Sequence, residues 1–355
     1  MHMADALLSP AVGGAMWAVS AAAIAYSSKK LRSGPHEKKA PLMGVLGAFL
    51  FAAQMINFSI PATGSSGHLG GGLLLAILLG PYAAFLTISS VLMVQALFFA
   101  DGGLLALGCN IFNMGFLTAF IVYPFVYRTV AGRDLNRRRQ ALAIMLSAIA
   151  SLQLGPFCVV LETFCSGISE LPLPTFILMM QPIHLAIGIV EGAVTLAVVS
   201  FVQKARPELL REALEARSLC AGPLRGTLLA FFAAALLTGG MVSVFASDKP
   251  DGLEWAITQV TGREELGGTN TALSAALAAL QEKTAFLPDY SFRKSAEAGV
   301  PESMPAEPRI KEQAGTAGTS VSGIVGALAT LVFAFGVGFI LRKRNLHAEI
   351  LSGER

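Results

Sequence analysis

The chain has 355 residues, 54% of them hydrophobic and only 14% charged, with a formal net charge of +3. A soluble domain carries about 25% charged residues, so this composition, with a mean hydropathy of +0.63, excludes a soluble globular protein. Apolar stretches recur, several near the roughly 20 residues needed to span a bilayer, and the fold class expected is an all-α polytopic membrane protein. The four cysteines, Cys109, Cys158, Cys165 and Cys220, show no CxxC spacing. Three lie in apolar stretches and read as small core hydrophobes.

Residues 1–8, MHMADALL, lack the basic segment of a cleavable signal and carry Asp5, so Met1 is expected to remain. Apolar stretches follow near 9–28, 41–60, 69–100, 103–127, 140–164, 176–203, 226–246 and 320–341. Lys and Arg gather at 29–39, 128–139, 204–225 and beyond 341, which together hold 19 of the 26 basic residues. The other seven lie in 247–319, and the segments 1–8, 61–68, 101–102 and 165–175 have none. Short basic loops stay in the cytoplasm. The four basic segments are therefore expected inside and the N-terminus outside.

With 29–39 and 128–139 both inside, the crossings between them must be even in number. Three apolar stretches satisfy this if 69–100 crosses twice, divided at Gly80-Pro81. The first half, 69–79, reaches only about half the hydrocarbon thickness and must be sheltered by protein. Short, broken helices of this kind mark substrate sites in transporters. The expectation is nine passes, seven before residue 204 and two after it, with the C-terminus inside. Residues 204–225 read as a charged cytoplasmic helix joining two modules. ALSAALAALQEKTAF, 272–286, reads as an amphipathic helix in the outer loop, and 298–319 as an Ala/Gly/Pro/Glu-rich tether.

This topology puts Met1-His2 and the glycine-rich loop carrying His68 on the same outer face. The α-amine of Met1, the backbone nitrogen of His2 and its Nδ1 close a five-membered and a six-membered ring around a metal, and the imidazole of His68 offers a fourth corner. Planar four-nitrogen coordination suits Ni(II) or Cu(II), whereas Zn(II) prefers a tetrahedron. Ser65, Ser66 or Asp5 are candidates to orient the imidazoles. The plain alternative is that His2 and His68 only hydrogen-bond. His36 and His347 lie in basic segments and read as solvated. Glu162 and Glu191 sit inside apolar stretches, where carboxylates are costly and often functional, or else bond helix to helix. His184 reads as a structural histidine near the outer end of its span. Asn110 and Asn113 share one helix face and read as interhelical bonds. A rival class comes from GSSG at 64–67: Ser66 as nucleophile and His184 as base of a rhomboid-type intramembrane serine protease. A passive pore is a third. No GxxxxGK[ST] segment occurs, so the chain is expected to be no ATPase, and uphill transport would need partners.

MHMADALLSP, GSSGHLGGGLLLAILLGPYAA, FFADGGLLALGCNIFNMG and PIHLAIGIVEGAVT resemble the CbiM/NikM family, the cobalt/nickel-specific substrate-binding components of energy-coupling factor (ECF) transporters. SDKPDGLEWA and LPDYSF resemble the small NikN component with its PDGLE segment. The resemblance implies a seven-helix metal-binding module over 1–203, a cytoplasmic linker over 204–225, a NikN-like module over 226–345 with an outer loop at 247–319, and a cytoplasmic tail over 346–355. It implies Met1, His2 and His68 as metal ligands, with Ni2+ or Co2+ as transported substrate. It also implies a transmembrane coupling subunit and ABC-type ATPase subunits as partners in a bacterial or archaeal cell membrane. The PDGLE half favours nickel; a cobalt importer supplying cobalamin synthesis is the alternative. The family's opening Met-His-Ile-Pro-Asp-Gly is replaced here by Met3, Ala4, Asp5 and Ala6 after the first two residues, which alters the first turn but keeps the ligands. The NikN-like loop holds no His or Cys, so strong metal binding within it is not expected.

Overall fold

The computed structural model describes residues 2–32, 39–132, 136–168, 171–215, 224–262, 271–292 and 316–352. Among the described residues the chain is helical apart from one short antiparallel pair with two residues in each strand. Among the described residues, six helices are long and apolar enough to cross a membrane: α1 (Pro10–Arg32), α4 (Pro81–Phe99), α5 (Leu107–Ala131), α6 (Arg137–Ser166), α7 (Leu173–Ala205) and the span Ala317–Arg342 within the last helix. Two shorter apolar helices accompany them, α2 (Lys39–Gln54) and α9 (Arg225–Gly240). The eight-residue α3 (Gly72–Leu79) completes the apolar set. The remaining helices are α8 (Pro207–Glu215), α10 (Gly252–Thr261), α11 (Ala272–Thr284) and α12 (Thr316–Ser352). This is a multi-pass membrane protein.

The break inside 69–100 falls where Gly80-Pro81 stands. Gly80 takes φ 78 and ψ 166, a region that side chains forbid, and Pro81 then starts α4 at its first turn, where the missing N–H costs nothing. All eight residues of α3 are buried; too short to face lipid along a full crossing, the helix is wrapped by α4, α5 and α8. At its Gly80 end Lys39 Nζ donates to the Leu79 carbonyl at 3.2 Å, and α8 packs alongside. At its other end Gly71, in the left-handed region at φ 71, turns the chain into the His68 loop. Eight residues at 1.5 Å each separate that loop from Lys39 and α8 by only about 12 Å.

Several ends differ from the sequence reading. The stretch 41–60 is helical only to Gln54; the chain then turns into β1 (Phe58–Ser59), which pairs antiparallel with β2 (Ser66–Gly67) in the register Phe58↔Gly67. The stretch 226–246 is α-helical to Gly240 and ends in a single tighter turn, Val242–Phe245. The joining segment 204–225 is divided by Pro207, with α8 behind it and 216–223 outside the described residues. The tether at 298–319 also lies outside them, save that 316–319 open α12.

The two regions separated at 204–225 share one packed interior. α2 sits between α4 on one side and α9 and α12 on the other. The helices of the C-terminal pair touch backbone to backbone: a Cβ on Gly323 would lie 2.0 Å from the Gly239 carbonyl oxygen. Small residues permit this approach, which supplies the dispersion contacts that hold helices together in lipid.

Candidate metal site

The beginning of the chain is tied into the bundle by polar groups on α5 and on the turn before it. Met3, fully buried, donates its N–H to Asn110 Oδ1 at 2.9 Å. Its carbonyl accepts from Gly103 N at 2.9 Å and from Asn110 Nδ2 at 3.3 Å. Asp5 Oδ1 accepts from Ala106 N at 2.9 Å, satisfying a donor at the start of α5. These bonds fix the backbone on the carboxyl side of His2 and leave its side chain little choice of direction.

The His68 loop is placed by α7. Residues 183–184, 187 and 191 recur at helical spacing on one face of that helix. Gly252 lies against Ile183 and His184, Gly67 against Ile187, and Gly70 against Glu191. The Glu191 carboxylate, 2% exposed, accepts from Gly70 N at 2.7 Å and Gly71 N at 3.1 Å. Gln54 Nε2 donates to the Gly70 carbonyl at 3.0 Å, and Gln95 Nε2 holds Gln54 Oε1 at 3.0 Å. The loop thus descends beside α7 with the Gly70 and Gly71 amides and the Gly70 carbonyl paired, as irregular backbone in a membrane protein requires.

His2 and His68 meet. Their rings stack with centroids 5.1 Å apart and 8° between planes. His2 Nδ1 lies 3.0 Å from Asp101 Oδ1, and the Tyr290 hydroxyl donates to Asp101 Oδ2. Gln281 Nε2 donates to the Gly102 and Ala96 carbonyls at 2.7 and 2.9 Å. The segment carrying Gln281 and Tyr290 therefore grips the turn that faces His2. Burial alone would raise the Asp101 carboxyl, but His2 and the Tyr290 hydroxyl hold it well below the usual carboxylate range. Burial, aided by the charge of His2, pushes the His68 imidazole down from 6.5 to about 3, with Asp251 and Asp101 acting in the opposite sense.

The sequence-derived site residues fare differently. His2 and His68 are brought together; Met1 lies outside the described residues. Asp5, Ser65 and Ser66 do not orient the imidazoles: Asp5 caps α5, Ser65 Oγ pairs with Thr63 Oγ1 at 2.8 Å, and Ser66 Oγ donates to the Lys249 carbonyl at 2.7 Å. That last bond also removes the hydrolase geometry, because the Ser66 hydroxyl is committed to backbone and not to His184. His184 does bond within its own helix, Nδ1 to the Met180 carbonyl at 2.8 Å. Asn113 bonds helix to helix, donating to Glu162 at 2.7 Å, whereas Asn110 ties down Met3. The residue that sequence reasoning missed is Asp101, and its signal was present: an acid in FFADGG, a turn without any basic residue. Among the described residues no three His, Cys, Asp or Glu side chains form a ready-made cage.

A family model described as "Cobalt uptake substrate-specific transmembrane region" matches residues 2–209, and one described as "PDGLE domain" matches 225–343. A "Putative fused nickel transport protein NikMN" of Archaeoglobus fulgidus is 38% identical over 60% of this chain and 68% of its own length. A "Fused nickel transport protein NikMN" of Rhodobacter capsulatus is 29% identical over 82% of this chain and 88% of its own. A "Cobalt transport protein CbiM" of Geobacter sulfurreducens is 30% identical over 74% and 78% respectively. A crystal structure described as that of a transition metal transporter superposes with a TM-score of 0.52 at 31% identity, covering 60% of this chain and 97% of that one.

Proposed function

Because the chain belongs to the family of cobalt-uptake substrate-specific transmembrane regions, with a PDGLE domain behind it, we propose that it is the metal-binding component of an importer for Ni2+ or Co2+. The observation that carries this reading is the meeting of His2, drawn in from the start of the chain, with His68 on its glycine loop. The ion is held by the amine of Met1, the backbone nitrogen and Nδ1 of His2, and the imidazole of His68. Capture exchanges the His2 Nδ1 contact with Asp101 for a metal bond and releases protons, so affinity falls in acid. Nickel is favoured because the chain carries a PDGLE domain and fused relatives carry nickel in their names.

The N-terminus faces outward and the C-terminus inward, in keeping with the basic segments. The working units are the metal module over 1–203, the linker over 204–225 and the PDGLE module over 226–345, whose outer loop braces Asp101. The chain has no ATPase site of its own. A transmembrane coupling subunit and ABC-type ATPases of the ECF class drive the cycle, and the ion is released when these partners reorient the module.

The test is titration of the purified full chain with Ni2+ and Co2+, with its native terminus and with a short N-terminal extension. Tight binding by the native protein and its loss in the extended one support the terminal chelate. Equal binding by both refutes it.

A further inference from the structure

Beside the stacked imidazoles lies a small cavity bordered by His68, His184, Asp251 and Gly252. His184 is 1% exposed. Its Nδ1 stands 2.8 Å from the Met180 carbonyl, which only accepts, so Nδ1 carries the proton and Nε2 presents a lone pair. That buried Nε2 has no hydrogen-bond partner. The cavity therefore offers an acceptor without a donor, an arrangement that costs free energy unless a donor arrives with a ligand.

Asp251 reaches this cavity from the other half of the chain and is held rigidly there. Its Oδ1 caps α10, accepting from Leu253 N and Glu254 N at 2.8 and 2.9 Å, and its own N–H donates to Glu254 Oε2 at 3.1 Å. Ser66 N and Oγ fasten the segment by donating to the Pro250 and Lys249 carbonyls at 2.7 Å each. Gly252 permits the close approach: a Cβ there would lie 3.1 Å from His184 Cε1 and 2.8 Å from Ile183 Cγ2. Burial would raise the Asp251 carboxyl, but the charge of the chain's own α-amine, followed by His68, holds it well below the usual carboxylate range. The amine is one residue from His2, whose ring stacks on His68, so a single peptide unit, about 3.8 Å between Cα atoms, links the chelating side chain to it.

We propose that Asp251 and His184 are positioning residues for the terminal chelate: the Asp251 carboxylate holds the chain's α-amine beside His68, and once that amine binds a divalent transition-metal ion its two N–H groups donate to Asp251 and to His184 Nε2. The inference rests on the reading of a terminal chelate given above. Its chemistry follows from what a bound amine retains. The ammonium gives up one proton to water as the nitrogen lone pair turns to the metal, and two N–H bonds remain. The metal draws electron density from them and makes them stronger donors, and in a buried site each needs an acceptor. The cavity supplies one from each half of the chain, the carboxylate of Asp251 and the lone pair of His184. Neither touches the metal; both fix the direction of a ligand that does, as the outer partners of metal ligands do. The PDGLE segment then takes a chemical part in metal capture although residues 247–319 contain no His or Cys.

The experiment uses the full-length protein with its native terminus and two readouts. The first is metal-free: acetylation of the Met1 amine by acetic anhydride across a pH series, followed by mass spectrometry of the N-terminal peptide. The second is calorimetric titration with Ni2+. Asp251→Asn keeps an amide oxygen to cap α10 and sets an NH2, a donor, on the side where the amine needs an acceptor. It should move the midpoint of Met1 acetylation to lower pH by about one unit, the lower end of what losing an adjacent opposite charge does, and weaken Ni2+ binding at least about tenfold. Asp251→Ser, which also caps well, should do the same. His184→Leu removes a neutral acceptor, so it should weaken Ni2+ binding about tenfold and leave the acetylation midpoint where it was. Thermal unfolding without metal confirms that all three variants fold. An unmoved midpoint in both Asp251 variants overturns the pairing with the amine. A moved midpoint with wild-type Ni2+ affinity overturns the positioning role, and wild-type affinity in His184→Leu overturns the part given to His184. The terminal chelate is judged separately, by whether a short N-terminal extension abolishes tight Ni2+ binding in the otherwise unaltered protein.

Discussion

Replacing Glu191 by alanine removes the acceptor for two backbone N–H groups, those of Gly70 and Gly71 at 2.7 and 3.1 Å. Gly71 is buried and Gly70 partly so, and no water-facing alternative is offered by the bundle interior. Each stranded donor costs about 1–3 kcal/mol, giving a loss of about 2–4 kcal/mol when the partial exposure of Gly70 is allowed for. Glu191→Gln is milder, because its single amide oxygen accepts one N–H while its NH2 faces the other, and about half the cost is expected. His68 is two residues from Gly70, so the same change loosens a proposed ligand. Metal affinity should fall about 10- to 100-fold, the usual effect of losing a supporting partner. The assay pairs Ni2+ titration with hydrogen exchange at the 68–72 amides. The order wild type, Glu191→Gln, Glu191→Ala in both readouts supports the argument. An alanine variant with wild-type affinity and wild-type exchange would refute the claim that Glu191 positions the loop.

Tyr290→Phe deletes the hydroxyl that donates to Asp101; a bond to a carboxylate is worth about 1.5–3 kcal/mol, so faster proteolysis or hydrogen exchange in 272–292 is expected, with the bundle helices unchanged. Gly80→Ala meets only ordinary van der Waals contact, with the Ala213 carbonyl oxygen 3.9 Å from the new Cβ. The variant still forces a side chain into φ 78, ψ 166, so a loss of about 1–3 kcal/mol from backbone strain alone should appear in thermal unfolding. The pH dependence follows from His68. The unfolded chain takes up a proton near 6.5 that the folded site refuses down to about 3. Stability is therefore complete above 6.5 and lost as pH falls toward 3, by up to a few kcal/mol; His68→Asn should flatten the unfolding temperature across that interval.

The presence and order of the long apolar helices were legible in the sequence because a bilayer imposes one requirement on every span, an apolar run with all backbone bonds internal. The break at Gly80-Pro81 was legible for an equally local reason, since those two residues forbid continuous helix. His2 and His68 were legible as a pair through the distribution of Lys and Arg, which placed them on one face before any contact was known. Their partners were not. Asp101 opposes His2 only because Met3 is clamped to Asn110 and Gly103. Glu191 reaches Gly70 only because the loop runs down one face of α7. Asp251 borders the same cavity as His68 because Ser66, 185 residues earlier in the chain, bonds to the carbonyls preceding it. Such contacts depend on where backbone amides and carbonyls point after packing, and any sequence with the same hydropathy presents the same amides. Local chemistry decided which segments are long apolar helices and which imidazoles are present; packing decided which carboxylates face them, because those bonds join residues whose separation in sequence carries no signal.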